Sequence, residues 1–172
     1  IYKENGNTFK REYFMSYPDN GMGMRLTSES KKGKLSRIIS LESLHTDKTI
    51  TADGHTITMT GYPTPVSGDK RVGDAWKNGL KYAQQLVVKN KGGKISVVDG
   101  TKLKVEDADE IIVLMSAATN YVQCMDDSYN YFSQEDPLEK VQATLHKVAD
   151  KKYTALLATH QKDYHSLYDR MR

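Results

Sequence analysis

The residues able to do chemistry fall into a few clusters. His160-x-x-Asp163-Tyr164-His165 sets an imidazole, a carboxylate and a phenol at i, i+3 and i+4, positions that share one face of a helix. A metal site would need further ligands that the sequence does not supply, so His160 reads as a packed, hydrogen-bonded residue and no metal or cofactor is expected. Glu106-Asp107-Ala108-Asp109-Glu110 could offer oxygens to Ca²⁺, but without the regular ligand spacing it reads as a solvated acidic turn. Glycoside hydrolysis needs two carboxyl groups facing each other across a sugar. Acid pairs abound, none is singled out, and no catalytic residue is assigned. Tyr121, Tyr129, Tyr131 and Phe132 flank an irregular stretch and could stack on sugar rings, although aromatic clusters serve packing more often. Trp76, Tyr129 and Tyr131 are the ligand-binding candidates.

Several function classes drop out early. No phosphate-cradling glycine loop, paired-cysteine zinc pattern, nucleophile elbow or HExxH motif occurs. The single cysteine, Cys124, allows no internal disulfide, and no base is placed near it. A net charge of +3 and a pI near 8.8 hint at an anionic partner. The lysines, however, sit at turns such as Lys31-Lys32-Gly33-Lys34, without interleaved aromatics, so nucleic acid is not expected as a partner. Nothing reaches the roughly 18 apolar residues of a membrane span, and no membrane partner is expected. The start at Ile1, without Met or a signal-peptide pattern, suggests a segment of a longer protein.

The elements that must position these residues are organised around Glu110–Tyr121. Ile112, Leu114 and Ala118 point one way from it; Ile111, Val113, Met115 and Ala117 point the other. A strand apolar on both faces belongs between two layers. All 12 glycines lie at or before Gly100, which places strands and turns first and helices after. Asn5-Gly6 and Asp53-Gly54 mark hairpins, and about nine strands are expected, among them Thr8–Phe14, Leu35–Leu44 and Leu80–Lys89. Gly61–Asn78 reads as a long excursion, anchored by Trp76 and open to proteases between Pro63 and Asp74. Asp136-Pro137-Leu138-Glu139 supplies an N-cap, a proline at the first helical position and an acid at the third. Leu138, Val141, Leu145 and Val148 form the stripe of that helix. A second helix carries Tyr153, Leu156, Leu157, His160, Tyr164, Leu167 and Tyr168, and the two read as an αα-hairpin.

Three blocks of residues carry a family likeness. The first is Arg11-Glu12-Tyr13-Phe14-Met15-Ser16-Tyr17-Pro18-Asp19, followed by Met24-Arg25-Leu26-Thr27 and Gly33-Lys34-Leu35. The second runs from Asp107-Ala108-Asp109-Glu110 through Ser116-Ala117-Ala118-Thr119-Asn120-Tyr121 to Asp136-Pro137. The third comprises Tyr153, Leu156, His160, Asp163-Tyr164, Leu167 and Arg170. Together they resemble glycoside hydrolase family 95, the inverting α-L-fucosidases, with Gly61–Leu80 and Val122–Glu135 as the divergent parts.

The resemblance implies a mainly β fold with a C-terminal helical hairpin: an antiparallel, supersandwich-like β-sandwich followed by linker helices. Residues 1–121 would form the sandwich, its N-terminal part missing, and 122–172 the loop and helical linker hairpin into an (α/α) barrel. The barrel would hold the catalytic acid and base, so none is carried over to this chain. A fucosylated glycan, or one bearing L-galactose, would be met through the parent enzyme, secreted or periplasmic and bacterial. The competing readings are a stand-alone carbohydrate-binding sandwich and a self-contained hydrolase. The second helix's apolar stripe is too wide for one partner, so self-association through residues 153–172 is expected of the segment alone.

Overall fold

In the computed structural model, residues 1–4, 6–29, 34–63, 79–123 and 132–171 are described. Ten strands and two α-helices occur among them. The central stretch is β10 (Glu110–Thr119), fourth in a seven-stranded antiparallel sheet. On one side it pairs with β3 (Gly21–Ser28), Ile111 opposite Leu26. On the other it pairs with β7 (Tyr82–Lys91), Met115 opposite Leu86. Beyond β3 come β2 (Asn7–Ser16) and β1 (Tyr2–Glu4); beyond β7 come β6 (Thr56–Gly61) and β5 (Lys48–Asp53). The remaining strands, β4 (Leu35–Ser40), β9 (Lys102–Ala108) and β8 (Lys94–Val98), form a three-stranded sheet in that order.

The two-sided alternation of β10 has its counterpart in two cores. Ile111 and Val113 meet Leu35, Leu103 and Val105 of the small sheet. Leu114 and its half-buried neighbour Ile112 meet Val141, Leu145 and Leu156 of the helices. The molecule is therefore three layers, small sheet, large sheet and helices, with β10 buried in the middle one. Between β7 and β8, Gly93 has φ of +65°, and a Cβ there would lie 1.9 Å from the Glu106 carbonyl oxygen, so only glycine fits.

Some boundaries differ from the pattern reading. The strand expected over Leu35–Leu44 stops at Ser40, because Lys48 Nζ donates to the Ser43 and His45 carbonyls (2.7 and 2.9 Å) and folds the chain back. The strand expected over Leu80–Lys89 is shifted to Tyr82–Lys91. At its start the Lys81 N–H donates to the Asn120 side chain in place of a backbone carbonyl.

Helix α1 (Pro137–Ala149) begins as its sequence dictates, the Asp136 carboxylate accepting from Leu138 N at 2.9 Å with Pro137 at the first position. Helix α2 (Tyr153–Tyr168) follows after a short turn and ends in a 3-10 turn, Asp169–Met171. The two helices and the short turn between them form the expected C-terminal helical hairpin, with each helix lying on the sheet. Helix α1 lies across β10 and β7 while α2 lies across β2 and β3, so the sheet is the main partner of each.

Candidate docking site on the helical arm

Where β10 ends, Asn120 gathers the chain. It is buried, and its Oδ1 accepts from Lys81 N at 2.7 Å while its Nδ2 donates to the Gly79 and Ser133 carbonyls (3.1 and 3.5 Å). Its own backbone bonds Lys81 and Ser133 as well. Next to it Tyr121 and Phe132 form a single antiparallel bridge, and the Phe132 ring sits 2.9 Å from where a Cβ on Gly79 would be. One asparagine thus ties the start of β7, the end of β10 and the approach to α1.

The opposite corner is fixed by Asp19, whose side chain is only 7% exposed. Ser16 Oγ donates to Asp19 Oδ2 at 2.8 Å, and Lys151 Nζ, from the turn between the helices, reaches Asp19 Oδ1 at 2.9 Å. An ion pair with one partner this buried holds the interhelical turn against the β2–β3 turn.

From that corner an aromatic series runs along α2. Tyr153 meets the Phe14 ring edge-on at 5.3 Å, and His160 stacks on the same ring at 5.3 Å. Tyr164 tilts against His160 at 6.4 Å and stacks on Tyr168 at 5.5 Å. The series begins in the core and ends in solvent. Tyr153 and Leu156 are buried, whereas Tyr164 and Leu167 are each 51% exposed and Met171 82%. Beneath its first rung the Tyr153 hydroxyl is buried with no hydrogen-bond partner among the described residues. Burial, then the nearby Glu12 carboxylate, pushes its pKa up to about 12, with Arg25 opposing.

Of the residues selected by sequence, Trp76, Cys124, Tyr129, Tyr131 and the 64–78 part of the long excursion lie outside the described residues. Tyr121 and Phe132 come together, in the strand bridge. His160 packs on Phe14, while His165 faces Asp169 at 3.8 Å. Among the described residues no group of three or more His, Cys, Asp and Glu could hold a metal. In the acidic turn Asp109 pairs with Lys34. Glu106 is drawn below the usual carboxylate range by Lys104, with Lys94 adding to it. Glu12 and Glu110 do converge, but Arg25 stands between them, bonded to Glu110. Two functional positions were not singled out from the residue pattern, Asn120 and the Asp19–Lys151 corner. Both fall in or beside the blocks that carried the family likeness, which signalled their importance but not their roles.

The chain is thus a β-sandwich that packs the root of a helical arm into its core and leaves apolar side chains at the arm's far end exposed. Residues 1–124 match the family model described as glycosyl hydrolase family 65, N-terminal domain, and the chain belongs to that family. It is also similar to "Probable alpha-fucosidase A" of Aspergillus niger, 28% identical over 172 residues, or 96% of this chain and 20% of that protein. "Alpha-L-fucosidase 2" of Arabidopsis thaliana is 31% identical over 177 residues, or 95% of this chain and 20% of that protein. The uncovered part of this chain is too short to contain either helix, so the likeness extends into the arm. The chain spans about a fifth of the length of these curated relatives.

Proposed function

We propose that the chain is the non-catalytic N-terminal sandwich and linker region of a glycoside hydrolase family 95-like α-L-fucosidase. In this reading it scaffolds an adjacent (α/α) barrel that hydrolyses fucosylated glycans outside the cytoplasm. The names of the two relatives support the activity of the parent, and the matched family supports the place of this region at the enzyme's N-terminal side.

The observation that carries the reading is the division of α2. Its first turns share the core with Phe14, and its last turns present Tyr164, Leu167 and Tyr168 to solvent, followed by Met171 in the 3-10 turn. An apolar helix end held rigidly at its root suits an intramolecular neighbour. Burying the exposed halves of Tyr164, Leu167 and Tyr168 is worth about 1 kcal/mol each, roughly 3 kcal/mol in all. In the intact polypeptide, Tyr164→Asp with Leu167→Asp should lower the melting temperature and the turnover of an aryl fucoside together. An intact enzyme indifferent to both changes excludes α2 as the docking element.

The second reading, a sandwich that binds glycans by itself, draws on Tyr13 and Tyr17, which are 58% and 88% exposed. The polar groups near Tyr13 are already engaged, however. The Arg11 guanidinium lies 4.4 Å from the centre of the Tyr2 ring, and Arg37 bonds the Tyr2 hydroxyl at 3.0 Å and Glu4 at 3.4 Å. Perturbation of Tyr13 resonances by a fucosylated oligosaccharide, with the 172-residue chain alone, would favour it.

A further inference from the structure

The inner face of β10 changes character along its length. Ile111 and Val113 are buried against the small sheet, but Ala117 and Thr119, further along the same alternation, are exposed. Gln84 of β7 stands directly opposite Ala117, and Met15 of β2, 65% exposed, lies across from them. Two hollows open at this end of the sheet, and they share Ala117. One, of about 340 Å³, is bounded by Met15, Tyr17 and Asn20; the other, of about 370 Å³, by Tyr82, Gln84 and Thr119. Together they cross the sheet from the β2–β3 turn to β7. Three strand intervals make that path about 14 Å long, the reach of a trisaccharide.

Among the described residues, no charged side chain lines either hollow, although 27% of the chain is charged. The ends carry rings instead. Tyr17 is 88% exposed, yet the turn beneath it is fixed. Asn20 N donates to the Tyr17 carbonyl at 3.1 Å, Ser116 Oγ donates to the Asn20 carbonyl at 3.1 Å, and Ser16 bonds Asp19. Tyr82 is fixed at the other end, its hydroxyl on Ser43 Oγ at 3.4 Å and its ring 5.6 Å from that of His45. Between the rings, Ala117 keeps the floor low. Gln84 Nε2 there spends a donor on the Met115 sulfur at 2.8 Å, a weak acceptor that a hydroxyl oxygen would replace with gain.

We propose that this groove binds the neutral oligosaccharide trunk of the substrate, with Tyr17 and Tyr82 against sugar rings and Gln84 bonding a hydroxyl between them. A pyranose offers an apolar C–H face to an aromatic ring and hydroxyls at its rim, so rings at both ends with an amide between suit it. The lack of charge selects against the competitors. An acidic glycan or a nucleic acid would find no cation in the lining. An apolar peptide segment would cover the Gln84 amide and the Thr119 hydroxyl without serving them. That the trunk bears fucose rests on the fucosidase reading above; that the ligand is an uncharged sugar chain rests on the groove.

The test is saturation-transfer NMR on the intact polypeptide, titrated with the unfucosylated neutral probes cellotriose, xylotriose and lacto-N-triose, and with trigalacturonate as a charged control. At least one neutral probe should bind and the control should not. Both Tyr17→Ala and Ala117→Phe should weaken that binding about tenfold or more, the first by removing a ring and the second by filling the floor. Melting temperatures show whether each variant folds. Should Ala117→Phe misfold, Tyr17→Ala still decides, because it leaves the backbone bonds of the turn in place. No binding by any neutral probe, equal binding of the charged control, or unchanged affinity in a folded variant overturns the proposal. The probes carry no fucose, and hydrolysis of an aryl fucoside by the wild-type polypeptide is measured separately. The groove can therefore fail while the fucosidase reading stands, and the reverse.

Discussion

Replacing Asn120 with alanine should cost far more than one ordinary hydrogen bond. The side chain satisfies Lys81 N at 2.7 Å and the Gly79 carbonyl at 3.1 Å, in a site where the residue is 4% exposed. Truncation leaves both groups without that partner, and each stranded buried group costs about 1–3 kcal/mol. Allowing for a water entering the space left behind, the expected loss is about 2–4 kcal/mol. The backbone bonds between Asn120, Lys81 and Ser133 do not need the side chain, so the sheet itself should survive. Urea unfolding gives the total, and amide exchange locates it at residues 79–83 and 132–135. Aspartate at the same position separates shape from hydrogen bonding. Its carboxylate would face the Gly79 and Ser133 carbonyls that the amide now serves, so the folded state favours the protonated acid and raises its pKa. Stability of Asn120→Asp relative to wild type should then be best below the unfolded value near 3.9 and fall as pH rises through the folded one. An alanine variant within about 0.5 kcal/mol of wild type, or exchange loosened evenly over the molecule, refutes the role given to Asn120.

Tyr153→Phe should remove an alkaline weakness. With the folded pKa near 12 against 10.0 unfolded, wild-type stability holds below pH 10 and is lost between 10 and 12. The loss amounts to about 2–3 kcal/mol, and the stability difference between the two proteins should change with pH in that window and stay constant below it. The 172-residue chain alone should self-associate through the bare end of α2, and sedimentation should show Tyr164→Asp with Leu167→Asp as a folded monomer. Leu157 is a poorer choice for that change, because it packs against the helix–sheet core.

What the sequence carried was the periodicity of each element. The double-faced alternation of β10 foretold a middle layer, the glycine distribution foretold strands before helices, and Asp136-Pro137 foretold the start of α1. Periodicity tells which residues turn inward but not what they meet. The stripe on α2 therefore looked continuous from Tyr153 to Tyr168, although the sheet takes only its first half. The exposure of Tyr13 was invisible for the same reason, since Phe9 and Tyr13 obey one alternation on β2 yet are 5% and 58% exposed. Asn120 and Asp19 act through partners 39 and 132 residues away, separations at which no local pattern operates.

On the proposed reading this region supports catalysis without performing it. Hydrolysis of an aryl α-L-fucoside, measured side by side for the purified 172-residue chain and the intact polypeptide, decides the matter. Release by the intact polypeptide and none above the buffer rate by the isolated chain is the expected result. Turnover by the isolated chain that disappears when one of its own carboxylates, Glu12 or Glu110 first, is changed to the amide would contradict it.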